Sequence, residues 1–64
     1  MMTRHRRLKA MRAMFGKSQY EVAKILEISE NSYRAKENGQ REFTILEIQK
    51  ILGYFGKSFE EIFF

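Results

Sequence analysis

SQYEVAKILEISENSYRAKENG, residues 18–39, holds two short helical segments with almost nothing between them. Ser18-Gln19-Tyr20-Glu21 is a capping box, in which the serine caps a free backbone N–H and the glutamate reaches back to the serine's own. It predicts a helix start. Val22, Ala23 and Leu26 form the apolar face that follows. Ser29 is a good N-cap for a second segment, from Glu30 to about Asn38, which Gly39 closes. A link of only about three residues, Glu27-Ile28-Ser29, suits two helices crossing at about 90–120° rather than lying antiparallel. Ile28, in that turn, is expected to point inward. The stretch is either a tightly turned piece of a small core or a device that presents its second helix outward.

The flanking sequence is also helical. Leu8, Met11 and Phe15 fall on one face of a first helix, from about Thr3 to Phe15, which Gly16 ends. Thr44-Ile45-Leu46-Glu47 is a second capping box, opening a helix that carries Leu46, Ile48, Ile51, Leu52 and Phe55 and stops at Gly56. Gly53 inside it costs about 1 kcal/mol relative to alanine and is read as allowing close packing. Ser58-Phe59-Glu60-Glu61 is a third capping box, ahead of Ile62, Phe63 and Phe64. No stretch alternates with period two for long enough to be a strand. The expected fold class is all-α, with five helices in a single domain over residues 1–64. The expected core is Leu8, Met11, Val22, Ala23, Leu26, Ile28, Tyr33, Phe43, Leu46, Ile51, Leu52, Phe55, Phe59 and Ile62.

The 64 residues contain no cysteine and one histidine, His5, so a disulfide framework is impossible and neither a metal site nor a cofactor is expected. His5 is read as a surface residue. A chain this short buries only about 60% of its unfolded surface, so self-association or a partner is expected to help. No apolar run approaches the roughly 18–20 residues that span a membrane, and no apolar segment or cleavage site follows the basic MMTRHRRLKA. A cytoplasmic, nucleoid-associated protein is expected.

The formal net charge is +4 and unevenly placed. Residues 1–41 hold ten of the twelve Lys and Arg against four Glu, whereas residues 42–64 hold two Lys against four Glu. The basic part contains the opening stretch, which suggests a polyanionic partner. Arg4, Arg6 and Arg7 form a cluster that suits either a backbone-reaching arm or a solvated terminus. Paired catalytic carboxylates, a nucleophile with its base and a phosphate-cradling glycine loop are all missing from the sequence, so catalysis is not expected.

The spacing Gln19…Ala23…Ile28-Ser29…Tyr33…Glu37-Asn38-Gly39 resembles the Xre/Cro-type helix-turn-helix family, which includes phage repressors and Cro proteins. The resemblance runs from Leu8 to Phe63. The combination Tyr33…Lys36-Glu37-Asn38-Gly39…Phe43…Glu47…Ile51…Ile62-Phe63 looks like a variant common in phages and mobile elements of Gram-positive bacteria. The resemblance implies a compact five-helix, lambda-repressor-like DNA-binding domain. Its second helix braces, and its third enters the major groove of a double-stranded DNA operator.

Carried onto this chain, the resemblance assigns base reading to Glu30, Asn31, Arg34 and Ala35. Asn31 suits adenine N6 and N7, Arg34 suits guanine O6 and N7, and Glu30 can accept from cytosine N4. Ala35 can touch only a thymine methyl. Glu30 equally suits a helix N-terminal acid that favours the macrodipole. Backbone contacts fall to Gln19, Ser29, Ser32, Lys36, Asn38, Gln40 and Arg41. Lys36 stands at a position usually apolar in the family, so its stem is expected on the core and its amine outward at a phosphate. Arg12 and Glu37 match the family's internal ion pair. Phe59, Ile62, Phe63 and Phe64 form an expected partner or dimer surface, implying a homodimer on two half-sites. The acidic Glu30, the short Ala35 and the apolar end also keep a second expectation open: an anti-repressor on the same fold that binds a phage repressor protein.

Overall fold

The computed structural model describes residues 5–63. Among them are five helices and no strand: α1 Arg6–Met14, α2 Gln19–Leu26, α3 Glu30–Glu37, α4 Ile45–Phe55 and α5 Phe59–Phe63. Thr3 and Arg4, in the sequence-predicted first helix and basic arm, lie outside the described residues. Arg6 and Arg7 belong to α1 rather than to an arm, and Arg7 Nη1 donates to the Glu60 carbonyl of α5 at 3.3 Å.

Local chemistry fixes the helix ends. The three capping boxes all form, each with both reciprocal hydrogen bonds: Ser18 with Glu21, Thr44 with Glu47, and Ser58 with Glu61. Ser29 Oγ caps α3 by accepting from Ser32 N at 3.1 Å. Gly39 closes α3 at φ +84°, with Gly39 N donating to the Lys36 carbonyl and Gln40 N to that of Ala35. That paired arrangement is the Schellman motif. The same pattern ends α2, but there the left-handed residue is Glu27, at φ +61°. A glutamate at this position carries a steric cost that glycine would not.

Leu8, Val22, Ala23, Leu26, Tyr33, Ile51, Phe55 and Ile62 form the buried core, with Met11, Ile28, Phe43, Leu52 and Phe63 packed against it. α2 packs on α3 and α4, and α1 on α3 and α5. Ala23, 1% exposed, supplies the small side chain facing the crossing, and Ile28 tucks beneath the turn.

Two residues expected in the core lie outside it: Leu46 is 69% exposed and Phe59 is 43% exposed. Leu46 sits in the first turn of α4 beside Ile45, also exposed, and the inward position of that turn belongs to Glu47. Gly53 faces open space, and no heavy atom lies within 4 Å of where its Cβ would be. It therefore does not serve close packing. His5 is not simply a surface residue: its ring lies edge-on to Phe43 at 5.3 Å and Phe63 at 5.4 Å between centroids.

Candidate nucleic-acid interface

Helix α3 has two distinct faces. Tyr33, Lys36 and Glu37 point into the protein. Asn31, Arg34 and Asn38, spaced i, i+3 and i+7, are exposed along the opposite side, flanked by the half-buried Glu30, Ser32 and Ala35. The helix is thus held from behind and open in front.

The hold is polar. Glu37 is fully buried, and its carboxylate accepts four hydrogen bonds: Arg12 Nε at 2.9 Å, Arg12 Nη2 at 3.1 Å, Gln19 Nε2 at 3.0 Å and Tyr33 Oη at 2.8 Å. Arg12 also donates through Nη1 to the Lys17 carbonyl at 3.0 Å, so one guanidinium ties α1, the α1–α2 connection and α3 together. Burial by itself pushes the Glu37 carboxyl up. Hydrogen bonds from Arg12, Gln19 and Tyr33, with the Arg12 charge, outweigh it and hold the group below its ordinary value. Burial, followed by its bond to Glu37, drives the Tyr33 phenol well above its ordinary value. The hydrogen bond to Glu37 raises Arg12.

A second buried pair joins α3 to α4. Lys36 Nζ lies 2.6 and 2.7 Å from the two oxygens of Glu47. Glu47 Oε1 also accepts from Thr44 N at 2.9 Å, so one carboxylate serves both cap and ion pair. Burial pushes the Glu47 carboxyl up, but hydrogen bonds from Lys36 and Thr44 N prevail and leave it lowered. This corrects the expectation for Lys36: its amine turns inward to Glu47 rather than outward to a phosphate.

On the open face Arg34 is encircled. Its Nη1 donates to Asn31 Oδ1 at 2.7 Å, its Nη2 to Glu30 Oε2 at 3.2 Å, and its Nε to Gln19 Oε1 at 3.3 Å. Three of the residues expected to read bases are therefore joined in one cluster, and the fourth, Ala35, lies half-buried beside it. Gln19, expected at the backbone, bridges Arg34 to the buried Glu37. The Ser29 and Ser32 hydroxyls bond each other at 3.0 Å. Asn38, Gln40 and Arg41 are exposed along the loop after α3. Of the expected partner surface, Phe59 is exposed, Phe63 is half-buried and stacked on Phe59 at 5.4 Å, and Phe64 lies outside the described residues. Ile62 is a correction: it is fully buried in the core and offers no partner surface.

Several of these links have a sequence signal. Tyr33 and Glu37 stand at i, i+4, as do Glu30 and Arg34, Asn31 and Arg34 stand at i, i+3, and Glu47 is the acid of a capping box. The Gln19 bridge and the Lys36–Glu47 pair have no local spacing rule that would reveal them.

A helix pair joined by a three-residue turn, its second member braced behind and polar in front, is the geometry of a groove reader. The helix-turn-helix family model matches residues 8–62. The chain belongs to the helix-turn-helix family. The match supports a DNA-binding transcription regulator acting on double-stranded DNA, in a family that is generally non-enzymatic. No curated protein and no solved structure matches the chain. Among the described residues no helix is long and apolar enough to cross a membrane, and no group of His, Cys, Asp or Glu could hold a metal ion.

Proposed function

We propose that the protein is a sequence-specific, Cro-like transcriptional regulator, encoded by a phage or prophage and acting in the bacterial cytoplasm. It places α3 in the major groove of an operator as a homodimer, residues 1–64 forming one DNA-binding domain. The observation that carries this reading is the division of α3 into a pinned inner face, with Tyr33 and Glu37 buried, and an outer face of Asn31 and Arg34 that the C-cap Asn38 continues. Major-groove reading needs such a rigid helix with exposed polar side chains in its first turns. Asn38, Gln40 and Arg41 follow α3 in an exposed loop and suit phosphate contacts that set register. The body measures 25 × 24 × 24 Å, so two copies fit side by side on half-sites one turn, about 34 Å, apart.

A second reading, an interaction module that binds a repressor protein, is favoured by one feature. A shallow pocket of about 260 Å³ lies beside the exposed Phe59, lined by His5, Arg41, Phe43, Ile48 and Phe63 among others. Selection from a random duplex library, at moderate salt and with excess competitor DNA, separates the two. Enrichment of a two-fold-symmetric motif is the expected result. A flat outcome moves the reading to the protein partner.

A further inference from the structure

The neighbours of Arg34 restrict what the outer face of α3 can read. A guanidinium only donates, and an ionised carboxylate only accepts. Gln19 lies between one of each. Its Nε2 must therefore face Glu37 and its Oε1 must face Arg34, as the 3.0 and 3.3 Å contacts have it. Asn31 is constrained the same way: Oδ1 turns to Arg34 Nη1 at 2.7 Å, which leaves its amide NH2 outward. Glu30 takes one hydrogen from Arg34 Nη2.

A guanidinium carries five N–H groups, one on Nε and two on each terminal nitrogen. Gln19 uses the Nε hydrogen, Asn31 one on Nη1 and Glu30 one on Nη2. One hydrogen remains on each terminal nitrogen. A donor on each terminal nitrogen suits guanine O6 and N7, and no other base offers two acceptors side by side in the major groove. Asn31, by contrast, needs Oδ1 as acceptor and Nδ2 as donor together to read adenine. Its Oδ1 already accepts from Arg34 and keeps one lone pair, so any adenine contact has to fit the orientation that Arg34 imposes.

We infer that Arg34 is the dominant base reader and selects a guanine, and that Gln19, Glu30 and Asn31 are positioning residues that hold its fork rather than readers in their own right. This rests on the DNA-binding reading proposed above. The acid on α3 then has a purpose consistent with a phosphate-rich partner: Glu30 is partly neutralised by Arg34 and keeps the guanidinium aimed. Gln19 carries the alignment back to Glu37, whose position is set by Arg12 and Tyr33.

The test uses the intact protein and the duplex enriched from the random library, with each base of the half-site substituted in turn. The wild-type protein is expected to prefer guanine at one position by roughly ten- to a hundredfold. Arg34→Lys keeps the charge but loses the planar fork. It is expected to weaken that preference while leaving the salt dependence unchanged, and Arg34→Ala to abolish it. Glu30→Ala is expected to lower the preference severalfold with an unaltered unfolding midpoint, and Glu30→Gln, which retains an acceptor oxygen, to restore most of it. An enriched motif without a guanine in the half-site overturns the inference and leaves the proposed function standing. So does a guanine preference that survives Arg34→Ala, or an adenine preference lost in Asn31→Ala. A library that yields no motif at all overturns both.

Discussion

Lys36 reaches from α3 to α4 and sets its ammonium against both carboxylate oxygens of Glu47, at 2.6 and 2.7 Å. Both side chains are nearly enclosed, 10% and 12% exposed. Removing one partner strands the other charge in a poorly solvated site. Lys36→Ala or Glu47→Ala is therefore expected to lose about 3–5 kcal/mol of stability. Replacing both with apolar residues of similar size, Lys36→Met with Glu47→Leu, is expected to recover most of that loss, less the Thr44 cap contact. Denaturant unfolding of the two single variants and the double variant completes the cycle.

The buried carboxylates make stability depend on acid. Glu37 and Glu47 both have folded values held below their ordinary range. Glu21 and Glu61, each lowered chiefly by its cap's backbone N–H, act in the same direction. A carboxyl with a depressed folded value contributes stability that is present above its unfolded value, about 4.3 for glutamate, and is lost as pH falls through the folded value. Unfolding free energy is expected to be level from pH 7 to 5 and to fall steeply below about pH 4.3. Tyr33, raised in the fold, adds an alkaline limb in which stability declines as pH climbs past about 10. Urea titrations across pH 3–11 read both limbs. Glu37→Gln is expected to be less stable at pH 7 and to show a shallower acid limb.

Two backbone positions leave stability unrealised. Gly53 is helical, exposed and open around its missing Cβ, so Gly53→Ala is expected to stabilise by about 1 kcal/mol. Glu27 holds φ +61° without the freedom of glycine, so Glu27→Gly is expected to stabilise by roughly 0.5–1 kcal/mol. The two sites are independent, and thermal unfolding of the double variant is expected to show the sum.

Much of the fold is legible in the sequence because helix ends are local chemistry. Ser18, Ser29, Thr44 and Ser58 each stand before a helix, and residues 18–39 alone fix the turn and its inward Ile28. Leu46 and Phe59 are misplaced by the same reasoning. Periodicity gives a helix an apolar face, but not which neighbour covers its first turn, and at α4 that inward place goes to Glu47. Lys36 is read with its stem on the core and its amine outward because a lysine at a mostly buried position commonly snorkels to water. Its partner lies eleven residues away on another helix, beyond any i, i+4 rule. The outer face of the candidate interface is legible as a set of residues. The ties of Arg34 to Asn31 and Glu30 follow helix spacing, at i, i+3 and i, i+4, but the tie to Gln19 does not, since it depends on Gln19 reaching α3 from α2.

Arg41 is exposed in the loop after α3, whereas Lys36 is buried against Glu47. If the loop meets phosphate, Arg41→Ala weakens binding to every duplex alike and lowers the slope of log K against log salt by about one. The Lys36→Met, Glu47→Leu double variant is expected to leave that slope unchanged. Fluorescence titrations over a range of salt concentrations, on specific and scrambled duplexes, measure both.

The most direct measurement of α3 as the DNA-reading element is amide chemical-shift mapping of the isotope-labelled protein as an enriched duplex is added. The expected result is a set of perturbations concentrated on Gln19, on residues 30–35 and on the loop 38–41, with Tyr54 and Phe55 unmoved. Shifts confined to the Phe43, Phe59 and Phe63 surface, with α3 silent, would contradict it.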